Sequence, residues 1–194
     1  RAGKLKSWRF SRATIRVSAN IPYEMAQAAI DQVEGAPERT FSDTRLDRGL
    51  LDRLQRDGLT ENALVPLWAA WRALARARDA RNPLDLDLPE RRVVLDEEGR
   101  IVSIAIRERL DAHRLIEDFM VTANVAAAKA LEAKKAPVMY RIHEPPSREK
   151  LTTLKDYLET YGINLALGQV ITTKTFNRLI EQIPDDAAAR PQIM

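Results

Sequence analysis

Apolar residues recur at spacings of three and four in six segments of the chain, and this pattern predicts six amphipathic helices. Glycines at 58 and 162 predict where two of the helices end, because glycine adopts the left-handed conformation that follows many helices. The first helix is predicted to open at Pro22, and the second to include Leu46 to Leu54. The third and fourth span about 63–81 and 111–135. The fifth follows Ser147, and the sixth starts at Thr172 or Thr173.

The longest predicted helix runs from Asp111 to Lys135, with Asp111 as its N-cap. Apolar or small residues cover most of its circumference. A helix that is apolar nearly all round belongs in the middle of a protein. We therefore expect this helix to be central and buried.

Three other segments alternate in the manner of β-strands. In residues 4–17 apolar and polar side chains alternate, and the apolar positions change from even to odd numbers near Ser11–Arg12. This pattern predicts an extended segment with a bulge or a change of partner strand at that point. Residues 91–106 predict a hairpin that turns at Asp96–Gly99. Val138 to Ile142 predicts a short strand. The fold class is thus mixed α/β and rich in helix, with short β elements against the long helix.

Composition limits the alternatives. The chain has 194 residues, 45% of them hydrophobic and 30% charged, which suits one domain or most of one. The absence of cysteine excludes disulfides and thiolate metal sites. No apolar run approaches the roughly 20 residues that span a bilayer, and no signal-peptide pattern is present. We expect a cytoplasmic protein without a membrane partner.

The net charge of +3 is too small to indicate nucleic acid by itself, but the basic residues are clustered. One cluster lies near the N-terminus and another has helical spacing in the 63–81 helix. Either they are solvated surface, or they neutralise part of a phosphate backbone. The clusters comprise Lys4, Lys6, Arg9, Arg12 and Arg16, and Arg72, Arg76, Arg78 and Arg81.

The long helix also carries a polar face. His113, Glu117 and Asn124 lie on one side at helical spacing, together with Val121 and Ala128. If buried, these groups need partners and form an internal hydrogen-bond network. If exposed, they form one wall of a cleft.

Other candidates are weaker. Arg141 and His143 would project from the same side of the 138–142 strand, toward a site or toward nearby carboxylates. Asp85, Asp87 and Glu90 have a spacing that suits Mg²⁺ but is more typical of an exposed acidic loop. Trp68 and Trp71 lie on an apolar helical stripe, which favours a core role over base stacking. The chain has no glycine-rich phosphate loop and no His-Glu-x-x-His motif.

Four segments, in order, resemble the RNB catalytic domain of the ribonuclease II/ribonuclease R family, and most closely its ribonuclease R branch. They are Arg12 to Gln27, which ends in a Tyr-x-x-x-Gln helix, Pro83 to Glu90, the helix that begins Leu-Asp-Ala-His-Arg-Leu-Ile-Glu at Leu110, and Tyr-Arg-Ile-His-Glu-Pro-Pro-Ser from Tyr140. Residues 1–194 would form the central part of such a domain.

The resemblance implies a 3′→5′ exoribonuclease that hydrolyses single-stranded RNA to nucleoside 5′-monophosphates with two divalent ions, usually Mg²⁺. It implies cold-shock and S1 domains elsewhere in the protein. It assigns Tyr23 to the RNA channel and Glu117 to the sugar of the bound strand. Arg141 and His143 become further RNA-binding candidates. The segment near Asp85–Leu86 lacks the family's aromatic clamp residue.

The family's catalytic motifs are absent from these 194 residues. Neither the Asp-rich metal motif (Asp-x-x-x-x-x-Asp-x-Asp-Asp) nor the Thr-Ser-Pro-Ile-Arg-Arg-Tyr motif occurs. The resemblance therefore implies no catalytic or metal-binding residue in this chain, an inactive fragment, and no bound Mg²⁺. The alternative is a non-catalytic RNA-binding or scaffolding module of the same fold. Self-association is also expected, because a partial domain exposes apolar surface.

Overall fold

The structure is a computed structural model that describes residues 3–41, 46–84, 86, 90–96, 98–168 and 170–183. It confirms the six predicted helices, the hairpin and the helix-rich α/β class. In chain order the elements are α1 (Tyr23–Val33), α2 (Arg48–Arg56), a π-helical turn (Thr60–Leu64), α3 (Val65–Asp79), β1 (Glu90–Leu95), β2 (Ile101–Arg107), α4 (Asp111–Ala133), α5 (Arg148–Glu159) and α6 (Thr173–Glu181).

The chain divides into two compact units, the first formed by Arg1–Ala77 and Pro89–Val138 and the second by Arg78–Leu88 and Met139–Met194. In the described part of the chain, no helix is both long and apolar enough to cross a membrane.

The core of the first unit lies between α1, α2, α3 and α4. Trp68 and Trp71 are both buried and pack edge to face, with ring centroids 6.4 Å apart. Their prediction as core residues is confirmed. The buried cluster contains Met25, Ala26, Ala28, Ala29, Ile30, Phe41, Leu51, Leu64, Trp68, Trp71, Leu110, Ala112 and Leu115.

The predicted 63–81 helix starts differently from the expectation. A π-helical turn precedes it, in which the Val65 N–H donates to the Thr60 carbonyl five residues back. Pro66 has no N–H for the carbonyl of residue 62, and its ring would crowd that carbonyl. The wider turn accommodates this constraint. The preceding helix, α2, begins at the Asp47 cap and is followed by Gly58 at a φ of +67°.

The hairpin pairs Val93 with Ile104 in an antiparallel register, and Gly99 takes a φ of +79° in its turn. The Asp96 carboxylate accepts hydrogen bonds from the backbone N–H groups of Glu98 and Arg100 at 3.1 and 2.8 Å, and from the Arg100 guanidinium at 3.0 Å. These donors, the Arg100 backbone above all, lower the pKa of Asp96.

The start of α4 departs from the prediction by one residue. Leu110, rather than Asp111, is the N-cap, and the His113 Nδ1 accepts from the Leu110 N–H at 3.1 Å. Asp111 is instead the first helical residue, where its negative charge suits the positive end of the helix dipole.

The expectation that α4 is buried all round is wrong for the described chain. Ala112, Leu115 and Ala126 are buried, whereas Met120, Val121 and Val125 are exposed. Only one face of the helix packs against α1 and its neighbours, and no other described element of this unit covers the opposite face.

Two of the predicted strands do not form in the described residues. Residues 4–17 and 138–142 have no strand partner there, and every side chain from 4 to 18 is exposed. A strand needs the hydrogen bonds of a neighbouring strand, unlike a helix, which satisfies its own backbone.

The second unit is built around α5 and α6. The Ser147 hydroxyl caps α5 by accepting from the Lys150 N–H, and Gly162 follows the helix at a φ of +73°. Thr172 caps α6, and the predicted tail at 185–194 lies outside the described residues. The core of this unit contains Leu158, Ile163, Leu165, Leu179 and Ile183.

Substitution of Leu115 by Ala on α4 should destabilise the protein by about 2–5 kcal/mol, because it empties a site that is only 2% exposed. Leu131→Ala, at a position of α4 that is 39% exposed, is the matched control and should cost under about 1 kcal/mol. Urea unfolding followed by circular dichroism measures both. Equal losses would contradict the one-sided burial of α4.

The Asp96 carboxylate should titrate below the range of an aspartate in an unfolded chain. Its stabilising effect on the turn is then fully present above the ordinary pKa and is lost as the pH falls through the lowered one. Carboxyl-carbon NMR titration measures this, with Asp96→Asn assigning the resonance. An unshifted pKa would show that the turn bonds are not maintained in solution.

Candidate functional site

Tyr23 is the first residue of α1, and its ring stacks on His113 of α4 with centroids 4.3 Å apart and planes at 28°. It remains 38% exposed. One side of the phenol ring is thus supported by the protein, and part of the side chain faces solvent.

Gln27 positions this stack. It lies one helical turn after Tyr23 and is only 4% exposed. Its side-chain oxygen accepts from the Ala112 N–H at 3.1 Å, and its amide nitrogen donates to Asp31 at 2.9 Å. The Ala112 N–H belongs to the first turn of α4, where backbone donors have no partner within the helix. The Gln27 side chain therefore fixes α1 against the start of α4.

An ion-pair chain braces the same junction. The Arg39 guanidinium pairs with the Asp31 carboxylate at 3.4 Å. It also donates a hydrogen bond to the carboxylate of Glu108, just before α4, at 2.5 Å. The bond to Glu108 is the main cause that raises the pKa of Arg39 above its ordinary value, with Asp31 adding to it. Through these two pairs Arg39 joins α1 to the segment before α4.

Glu117 lies on α4 one turn after His113 and is paired with Arg109 at 2.5 Å. Both of its neighbours on this face, Val121 and Asn124, are exposed as well. The structure thus brings Tyr23 and Glu117 to the same end of α4, with His113 between them along the helix. It favours an open polar wall over an internal network, because Glu117 and Asn124 lie at the surface.

Sequence reasoning missed Gln27, Arg109 and Asp118 as contributors to this region. Asp118 accepts from the Trp71 indole N–H at 2.9 Å, which fixes α3 against α4 behind the site. A signal for Gln27 was available: it is a polar residue within an apolar helical stretch, four residues after Tyr23. Nothing in the sequence pairs Arg109 with Glu117 in particular.

Arg141 and His143 belong to the second unit. Both are exposed and lie in a stretch without regular structure, so the predicted strand that would align them is absent. Their role in RNA binding stays a prediction.

Two of the three acidic candidates for a metal centre fall outside the part of the chain that the structure describes. Asp85 and Asp87 lie outside the described residues, and Glu90 opens β1. Among the residues that the structure does describe, no three His, Cys, Asp or Glu side chains are arranged to hold an ion.

A family model described as the RNB domain matches residues 1–194. The chain therefore belongs to the RNB domain family, and the predicted resemblance is confirmed. Among curated proteins it is similar to Ribonuclease R of Aquifex aeolicus, at 32% identity over 191 residues that make up 98% of this chain and 24% of that protein.

Two further relatives carry the same name. Ribonuclease R of Vibrio cholerae is 29% identical over 181 residues, or 93% of this chain and 20% of the relative. Ribonuclease R of Escherichia coli is 33% identical over 122 residues, or 63% of this chain and 15% of the relative. The chain spans about a quarter or less of the length of the curated relatives that it matches.

Substitution of Gln27 by Leu should destabilise the protein by about 1–3 kcal/mol, because it leaves the buried Ala112 N–H without an acceptor. Gln32→Leu, at an exposed position of the same helix, is the control and should stay within about 0.5 kcal/mol. The midpoint of urea unfolding reports both. A Gln27→Leu variant as stable as the parent would refute the positioning role.

Proposed function

We propose that this chain is the RNA-contacting part of a longer 3′→5′ exoribonuclease that degrades single-stranded RNA to nucleoside 5′-monophosphates. The observation that carries the proposal is the RNB family match over all 194 residues. The shared name of the relatives, Ribonuclease R, supports it. Cold-shock and S1 domains elsewhere in the longer protein would deliver the strand.

The site at the start of α4 suits two parts of a nucleotide. The supported Tyr23 ring offers an aromatic surface for a base, and stacking on such rings tolerates any sequence. The Glu117 carboxylate can accept from a ribose hydroxyl, which DNA lacks at the 2′ position. Arg109 holds that carboxylate in place.

The hydrolytic step is assigned to other parts of the longer protein. The resemblance implies two divalent ions, usually Mg²⁺, which would activate a water and stabilise charge on the phosphate. Among the described residues no side-chain cluster fits such ions, and we assign no catalytic step to them.

The 194-residue chain alone should leave a 5′-labelled poly(A) intact in the presence of Mg²⁺, whereas the longer protein should shorten it from the 3′ end. Denaturing gels measure the products. A ladder made by the chain alone would refute its inactivity. An inactive longer protein that still binds RNA would favour the non-catalytic module.

Tyr23→Ala should weaken binding of oligo(A) by about 1–3 kcal/mol, the value of one base stack, and Tyr23→Phe should retain the binding.

Glu117→Gln should reduce the preference for oligo(A) over oligo(dA), with Glu132→Gln on the same helix as the control. Fluorescence anisotropy measures each affinity. A full loss in Tyr23→Phe, or an unchanged preference in Glu117→Gln, would contradict these roles.

A further inference from the structure

The basic surplus of the chain is confined to its first 23 residues. They contain six Lys or Arg and no Asp or Glu, which leaves 25 basic and 28 acidic residues in the rest. The other 171 residues are therefore net acidic. A uniformly solvated surface would not require such segregation, and a positive segment of this kind is typical of proteins that bind polyanions.

The basic side chains of this segment have no carboxylate partner among the residues that the structure describes. Lys4, Lys6, Arg9, Arg12 and Arg16 are all exposed, and none of them forms an ion pair with a residue that the structure describes. Several arginines elsewhere in the same unit do form such pairs. Arg39, Arg72 and Arg109 each pair with a glutamate. The segment's charge is thus available to a ligand.

Aromatic side chains are interleaved with these charges. Trp8 is 40% exposed and Phe10 is 58% exposed, on either side of Arg9. The Lys129 ammonium of α4 lies 5.8 Å from the centroid of the Trp8 ring. Cationic side chains alternating with open aromatic rings are the combination that single-stranded nucleic acids bind, with phosphates on the former and bases on the latter.

The segment contacts α3 and α4 of the first unit near its N-terminal end. Gly3 takes a φ of +64° against α3, where an added Cβ would lie 1.8 Å from the Ala73 carbonyl oxygen. Trp8 then meets α4 at Lys129, and the chain continues through Pro22 into Tyr23. The exposed basic segment therefore leads along the chain to the Tyr23 stack.

We propose that residues 4–16 are a second binding site for single-stranded RNA, in which the five basic side chains bind phosphates and Trp8 and Phe10 stack on bases. The proposal rests on the proposed function and extends the RNA contact beyond Tyr23 and Glu117. A protein strand pairing with this segment is the competing occupant. The charge favours RNA, because strand pairing by itself does not call for five unpaired cations.

The test compares two variants of the whole chain that carry the same charge change. Lys6→Gln/Arg9→Gln/Arg12→Gln removes three cations from the segment. Arg56→Gln/Lys134→Gln/Lys150→Gln removes three exposed cations from helices and their ends. Both take the formal net charge from +3 to 0, so a non-specific effect of net charge would be equal in the two.

Affinity for oligo(A) is measured by fluorescence anisotropy over a series of salt concentrations. For single strands each lost phosphate contact reduces the salt slope by about 0.7, so the segment variant should lose about 2 from the slope and the control almost nothing. Equal slopes in the two variants would overturn the proposal.

Trp8 supplies a second readout. It is the exposed one of three tryptophans, since Trp68 and Trp71 are buried. Oligo(A) should quench the tryptophan emission that acrylamide can reach, and Trp8→Phe should abolish this quenching. Absence of quenching at saturating RNA would overturn the stacking part, and a signal that follows added protein rather than RNA would indicate strand pairing.

Two outcomes separate this proposal from the one on which it rests. If the longer protein shortens poly(A) while the segment variant binds like the control, only the second site is refuted. If neither the chain nor the longer protein binds or shortens RNA, the proposed function itself fails. Because residues 4–18 are all exposed, the substitutions should leave the circular dichroism spectrum unchanged.

Discussion

The hydrogen bond that the Gln27 side chain accepts from the Ala112 N–H holds α1 and α4 of the first unit in register. The helix α1 contributes buried alanines to the core of this unit, among them Ala26 and Ala29, and these side chains form no hydrogen bonds. A buried amide whose oxygen and nitrogen are both satisfied has a single favourable position. Because Tyr23 precedes Gln27 by one turn and His113 follows Ala112, the same contact sets the aromatic stack.

The long helix α4 has two different surfaces along its length. One carries the buried Ala112 and Leu115, and the other exposes Met120, Val121 and Val125. Glu117 and Asn124 lie on this same exposed side, next to Val121. In relatives about four times as long as this chain, more polypeptide is present to cover an apolar surface of this kind. Self-association through this surface stays a prediction.

The first unit contains two distinct groups of charged side chains, those in ion pairs and those of residues 4–16. Ion pairs such as Arg39–Glu108 and Arg72–Glu34 connect elements of the fold, and their contribution to stability is modest because they are half exposed. The unpaired cations of residues 4–16 contribute nothing of this kind to the described fold. Their arrangement next to open aromatic rings is better explained by a polyanionic ligand than by folding.

Helices and turns were predictable because their signals are local: Ser147 caps α5, Gly58 and Gly162 follow α2 and α5, and Gly99 turns the hairpin. The resemblance also assigns RNA contacts to Tyr23 and Glu117, and these roles stay predictions. Tertiary structure decided the rest. Residues 4–17 and 138–142 have strand patterns but no partner strand in the described chain, since strand bonds join distant segments. Only packing determined which face of α4 is buried and that Gln27 and Arg109 complete the site, because those contacts join residues that no local pattern relates.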